Sequence, residues 1–188
     1  MSSHLPGSND SPRVQRHLIH RGAKFSFEQL TVTDADGTCL KREVVRHPGA
    51  VVIVPVLETP QGPAVVLIRN WRISLERWVL ELPAGTLEPG EDPGVCAERE
   101  LQEETGYTAA TMTPLGRFYT SPGMSDELMW AYVAQGLREG GQKLEPDERV
   151  TVHPTPVAQA LGMIMSGELA DAKSIAALLM AHFRSMLG

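Results

Sequence analysis

Glu100, Glu103 and Glu104 place three carboxylates within five residues, and Arg99 immediately precedes them. On a helix turning about 100° per residue, Glu100 and Glu104 share one face a turn apart, with Glu103 on the flank. Like charges at this spacing weaken an isolated helix, so a chain that keeps them has a use for the charge. A divalent cation is one such use. Hard oxygen ligands in this number suit Mg²⁺, or else Mn²⁺, ions that keep some of their water and also bind substrate phosphates. Arg99 is close enough to pair with a carboxylate and orient it. A solvated acidic face is the plainer account of any short acidic cluster, and the surrounding pattern decides between the two.

That pattern supplies a scaffold. Asp92 followed by Pro93 reads as an N-cap with proline in the first helical position, and Gly106 as the left-handed residue that ends the helix. Ala97 and Leu101 fall on the other side and can bury the helix against a sheet. The turn from Gly85 to Gly90 carries glycines that let backbone approach a ligand closely. Trp78 to Leu82 reads as a short strand leading straight into it.

Taken together, the segment from Gly85 to Tyr107 resembles the Nudix box. Gly85, Glu91, Arg99, Glu100, Leu101, Glu103, Glu104 and Gly106 occupy its positions, and Tyr107 fills a final apolar slot that is more often aliphatic. The resemblance implies an α/β fold: a Nudix α/β/α sandwich with a mixed sheet. It also implies Mg²⁺-dependent hydrolysis of a diphosphate joined to another moiety. Glu100, Glu103 and Glu104 with the carbonyl of Ala84 are the implied metal site, Arg99 orients the carboxylates, and Glu91 supports the loop.

Beyond the box the chain resembles the ADP-ribose pyrophosphatase branch, from about Phe25 to the C-terminal helix. Leu80 to Gly85 resembles that branch's lead-in, and Pro122 lies sixteen positions beyond Gly106. The tail SGELADAKSIAALL resembles its C-terminal segment. The implied reaction is attack of water on ADP-ribose, or a similar nucleoside diphosphate sugar, releasing AMP and ribose 5-phosphate. Arg46 and Arg72, with Arg42 behind them, suit phosphate oxygens by the geometry of the guanidinium fork; surface solubility explains either equally well from sequence. Thr86, Ser121 and Glu127 are further substrate-binding candidates, the last two for the terminal ribose. Phe25, Phe27 and Trp71 can stack on a base, although packing accounts for any one of them. The general base of this branch lies on the loop before the last strand, here KLEPDERV, with Glu148 first, Glu145 second and Asp147 third. The branch also implies a homodimer with a shared active site. The alternatives are a Nudix hydrolase for another diphosphate, such as a GDP-sugar or a dinucleoside polyphosphate, and an inactive nucleotide-binding regulator.

Composition narrows the remaining classes. The chain has 188 residues, 42% of them hydrophobic, and a net charge of −6, which argues against a nucleic-acid partner. No apolar run approaches the ~20 residues that span a membrane, and the first residues lack a signal-peptide core. Cys39 and Cys96 make no disulfide framework, so a reduced cytoplasmic protein is expected. Residues 1–13 read as a disordered leader and 14–47 as a small N-terminal antiparallel β subdomain serving as a dimer element. The subdomain is built on a hairpin across Asp34 to Gly37. Residues 48–188 form the hydrolase domain. Its expected strands are Ala50 to Leu57, Ala64 to Ile68, Trp78 to Leu82, Leu115 to Thr120, Leu128 to Ala134 and Val150 to His153. Helices are expected from Thr155-Pro156 to Gly167 and from Ala172 to Leu187.

Overall fold

The computed structural model describes residues 13–34, 36–144 and 149–188. They group into two compact units, one running to His47 and including Ser121–Glu127, the other comprising Pro48–Thr120 and Leu128–Gly188.

The first unit is an antiparallel sheet of β1 (Arg13–Arg21), β2 (Ser26–Thr33) and β3 (Cys39–Arg46), in that order. The hairpin expected from sequence is β2–β3. β1 is an addition, and its pattern hides it: the register slips between Leu18 and His20, so Ile19 breaks the period of two that Val14 and Leu18 begin. Every residue of β1 is exposed, and Arg13, Arg16 and Arg21 place charge along this edge strand. The segment Ser121–Glu127 joins the unit through the N–H of Val45, which donates to the Met124 carbonyl at 2.9 Å.

The second unit runs β4 (Ala50–Thr59), β5 (Gly62–Arg72), β6 (Arg77–Glu81), β7 (Ala84–Thr86), α1 (Pro93–Glu100), a π-helical turn (Leu101–Thr105), β8 (Tyr107–Thr108), β9 (Thr111–Tyr119), β10 (Leu128–Gln135), β11 (Arg138–Glu139), β12 (Val150–Pro156), α2 (Val157–Ser166) and α3 (Ala172–Phe183). The main sheet has the order β12-β5-β4-β10-β9, with β6 on β5 and β7 on β4; β8 and β11 form a separate ribbon. Within the main sheet, among the described residues, β4 and β10 pair in parallel and the other pairs are antiparallel, so the sheet is mixed.

β4 explains the layering. AVVIVPV is apolar without alternation because both faces of the strand are covered. Val51 and Ile53 pack with Cys96, Ala97 and Leu101 on one side, while Val52, Val54 and Val56 pack with Ala160, Ala177 and Leu178 on the other. The result is α1 on one face, α2 and α3 on the opposite face: the expected sandwich.

Two helix boundaries differ from the sequence reading. Thr155 and Pro156 are not the start of α2 but the end of β12, opposite Val65 and Ala64. Extended backbone suits them, since a residue before proline is disfavoured in the helical region. α3 stops at Phe183, and Ser185 turns the chain with φ +55°. The Asp171 carboxylate caps its start, accepting from the Ser174 N–H at 3.1 Å.

Candidate active site

Asp92 and Pro93 begin α1 as expected, with Asp92 Oδ1 accepting from Gly94 N–H at 2.8 Å and Val95 N–H at 3.4 Å. The helix is not α-helical to its end. From Leu101 it widens into a π turn, closed by Gly106 at φ +76°. A π turn holds about one residue more than an α turn, so it re-aims Glu103 and Glu104 relative to Glu100. Thr105 supports the widening, its hydroxyl donating to the Leu101 carbonyl.

The carboxylates are held by different partners. Glu104, 2% exposed, accepts the Ala84 N–H on Oε2 at 2.8 Å. Glu100, 7% exposed, lies across the bare Cα of Gly85; a Cβ there would stand 1.8 Å from its Oε1. Arg99 Nη1 donates to Glu100 Oε1 at 2.7 Å and to Glu103 Oε2 at 3.0 Å. Among the described residues no three acidic, histidine or cysteine side chains stand around a common point.

The other edge of Arg99 clamps Glu91, with Nε to Oε1 at 2.9 Å and Nη2 to Oε2 at 3.0 Å. Glu91 Oε2 also accepts the Glu88 N–H at 2.9 Å, so the loop before α1 is fastened to the acidic helix. This is the loop-supporting role expected of Glu91. The hydrogen bonds from Arg99 hold the Glu91 carboxyl down at about 2, against 4.5 for an ordinary glutamate, and the same acids raise Arg99. Burial pushes the Cys96 thiol well up, so it is an inert core residue. A depressed carboxylate stabilises the fold above its unfolded pKa and loses that contribution as pH falls through the folded one. Glu91→Gln should therefore cost about 2–3 kcal/mol near pH 7. The deficit should shrink between pH 4.5 and about 2, as urea midpoints across a pH series would show. A deficit independent of pH would mean the loss is packing, not charge.

Arg72 enters a second cluster. It donates from Nε to Glu81 Oε1 at 2.7 Å and from Nη2 to Glu81 Oε2. Lys173 Nζ reaches Glu81 Oε2 at 2.6 Å and Asp171 Oδ2 at 2.9 Å. The Ser174 hydroxyl donates to Asp171 Oδ2 at 2.5 Å and accepts the Leu82 N–H at 2.7 Å, two residues before Ala84. Hydrogen bonding to Glu81 raises Arg72, and the charges of Glu81, Glu104 and Asp171 add to it. Sequence reading missed Glu81, Lys173 and Ser174. The available signal was Asp171 at a helix N-cap three residues before Ser174.

The other expected substrate residues divide between the units. Thr86, in the second, accepts Arg99 Nη2 on its carbonyl at 3.4 Å. Arg42, Arg46, Ser121 and Glu127 belong to the first. Arg46 is engaged with two acids, Glu28 and Asp126, each at 2.9 Å. Arg42 is exposed and donates to the Lys41 carbonyl at 2.9 Å. The Ser121 carbonyl accepts from Met124 and Ser125 N–H groups at 3.0 and 2.9 Å. Glu127 lies 3.5 Å from His47 Nε2, and His47 stacks on Phe25 with centroids 5.2 Å apart. Trp71 packs edge-on against Trp78 at 5.7 Å. The candidate bases Glu145, Asp147 and Glu148 lie outside the described residues.

A family model described as NUDIX domain matches residues 46–178. The chain belongs to the Nudix family. Relatives of this Nudix chain include the Bacillus subtilis ADP-ribose pyrophosphatase, 41% identical over 89% of this chain and 90% of that one. The Bacillus methanolicus methanol dehydrogenase activator is also 41% identical, over 87% and 88%. A crystal structure of an ADP compounds hydrolase superposes with a TM-score of 0.79 at 24% identity, covering 95% of this chain and 96% of that one, which bears on the fold. The Nudix chain is a hydrolase of the pyrophosphatase kind. Its acidic site suits the hard divalent cation typical of the family: the donors are oxygens, Glu100 and Glu104 are buried, and the bare Cα of Gly85 lets the Glu100 carboxylate lie against the backbone. Among the described residues no helix is long and apolar enough to cross a membrane.

Proposed function

We propose that this Nudix hydrolase cleaves the diphosphate of ADP-ribose, or a closely similar nucleoside diphosphate sugar, to AMP and ribose 5-phosphate. The observation that carries the reading is the buried pair Glu100 and Glu104 beside the glycine cradle at Gly85. The chain's similarity to an ADP-ribose pyrophosphatase over nearly its whole length supports the choice of substrate.

Glu100, Glu103 and Glu104 with the Ala84 carbonyl would hold Mg²⁺, with Mn²⁺ able to replace it. Once bound there, the cation would neutralise phosphate oxygens that otherwise repel an incoming oxygen nucleophile. Arg99 keeps Glu100 and Glu103 at a common nitrogen, so neither drifts from the site. Arg72 offers the N–H groups not used by Glu81 to a phosphate oxygen. Thr86 and Arg42 lie along the substrate, Arg46 contacts phosphate, and Ser121 and Glu127 take the terminal ribose. Water attacks one phosphorus, its proton passes to an acid of the 145–148 segment with Glu148 favoured over Glu145 and Asp147, and the bridging P–O bond breaks.

A second copy of the chain is the proposed partner, sharing its active site. Support comes from β1, an edge strand that leaves Val14, Leu18 and Ile19 exposed. The cytoplasm is the proposed location, in keeping with two unpaired cysteines, Cys39 and Cys96. The test is magnesium-dependent hydrolysis of a panel of ADP-ribose, a GDP-sugar and a dinucleoside polyphosphate, with products identified. ADP-ribose should give the highest kcat/KM and equal amounts of AMP and ribose 5-phosphate. Much faster turnover of another compound would reassign the substrate, and no turnover of any would favour a binding protein.

A further inference from the structure

We propose that Glu81 is a positioning residue: from its buried place on β6 it aims the Arg72 guanidinium at the substrate and ties it to the first turn of α3. The inference rests on the reading of Arg72 as a phosphate-binding group.

Glu81 is 2% exposed, yet it serves two cations, Arg72 through both carboxylate oxygens and Lys173 through one. Asp171 balances the second cation, so the cluster holds two positive and two negative charges. Such a network is a weak source of stability, because desolvating the charges offsets most of their attraction. What it confers is direction. A guanidinium has two bidentate edges, and Glu81 occupies the one formed by Nε and Nη2. That leaves the edge formed by Nη1 and Nη2 for another acceptor, on a side chain still 39% exposed.

Alternative acceptors inside the protein include Asp171 and an acid of the proposed cation site. The Glu104 charge already acts on Arg72. An Arg72 released from Glu81 would be drawn toward Glu104 and would lose its hold on the phosphate. Glu81 therefore keeps the arginine and the acidic site apart while leaving both available. Lys173 and the N-cap Asp171 fix Glu81 in turn, so the last helix of the chain contributes to the geometry of the site.

The test is a double-mutant cycle of Glu81→Gln and Arg72→Lys, with unfolding midpoints measured alongside. Glu81→Gln should raise KM roughly 10- to 30-fold with a smaller fall in kcat, and Glu81→Asp should recover part of the loss. In the Arg72→Lys background, where the bidentate fork is gone, Glu81→Gln should change kcat/KM less than about 3-fold. The Arg72 Nε–H resonance of the metal-free protein should exchange slowly in the wild type and rapidly in Glu81→Gln. Equal losses in both backgrounds, or wild-type KM and kcat in folded Glu81→Gln, would overturn the proposal. If Glu81→Gln does not fold, Glu81→Asp carries the cycle under the same criteria. Failure of the substrate reading is seen separately, as a wild type that prefers another compound of the panel, and the cycle then runs on that compound.

Discussion

Glu104→Gln is expected to lower kcat by about 10³-fold, equivalent to roughly 4 kcal/mol in the barrier, while leaving the fold intact. The side chain is almost wholly buried, and its Oε2 accepts the Ala84 N–H. Glutamine has the same length and keeps an amide oxygen for that N–H, so the connection between the acidic turn and β7 survives. What it lacks is the negative charge, which the proposed cation site requires and the hydrogen bond does not. The measurement is kcat at saturating magnesium beside a thermal unfolding midpoint. Undiminished turnover would remove Glu104 from the site, and a collapsed midpoint would make its role structural.

Gly85→Ala should have an effect of comparable kind, with kcat reduced on the order of 10²-fold. The added Cβ is fixed by the backbone and cannot rotate away. It would lie 1.8 Å from Glu100 Oε1, 1.9 Å from Cδ and 2.4 Å from Oε2, so the whole carboxylate must leave. Arg99 Nη1, shared between Glu100 and Glu103, would be pulled with it. Because the displaced group is a side-chain end, the stability loss should stay within about 1–3 kcal/mol. Gly90→Ala is the contrast. It meets nothing within 4 Å but sits at φ +79°, so it should cost stability through backbone strain and leave the rate unchanged. If Gly85→Ala kept full activity, the position of Glu100 would be irrelevant to catalysis.

The acidic site was legible because its spacing is local. Asp92, Pro93 and Gly106 bound the helix, and the residues between them need only a helical period to be placed together. The covered sheet was legible too, since AVVIVPV can only be buried on both faces. The π turn was not, because LQEET contains neither glycine nor proline to mark it. β1 escaped notice because a bulge at Ile19 disrupts its alternation.

Which acids and cations meet across the chain is a different matter. Arg72 reads from sequence as a phosphate arginine or a surface one, and nothing local indicates that Glu81 and Lys173 hold it. Composition and motif determined that this is a Nudix hydrolase with carboxylates clustered on one short helix, because those properties follow from spacing along a single segment; their burial came from the structure. Only the tertiary structure decided that Glu104 bonds to Ala84, that Glu100 rests on Gly85 and that the last helix reaches Arg72 through Glu81. Those pairings join residues up to 92 positions apart, as between Glu81 and Lys173, and depend on how strands and helices are brought side by side.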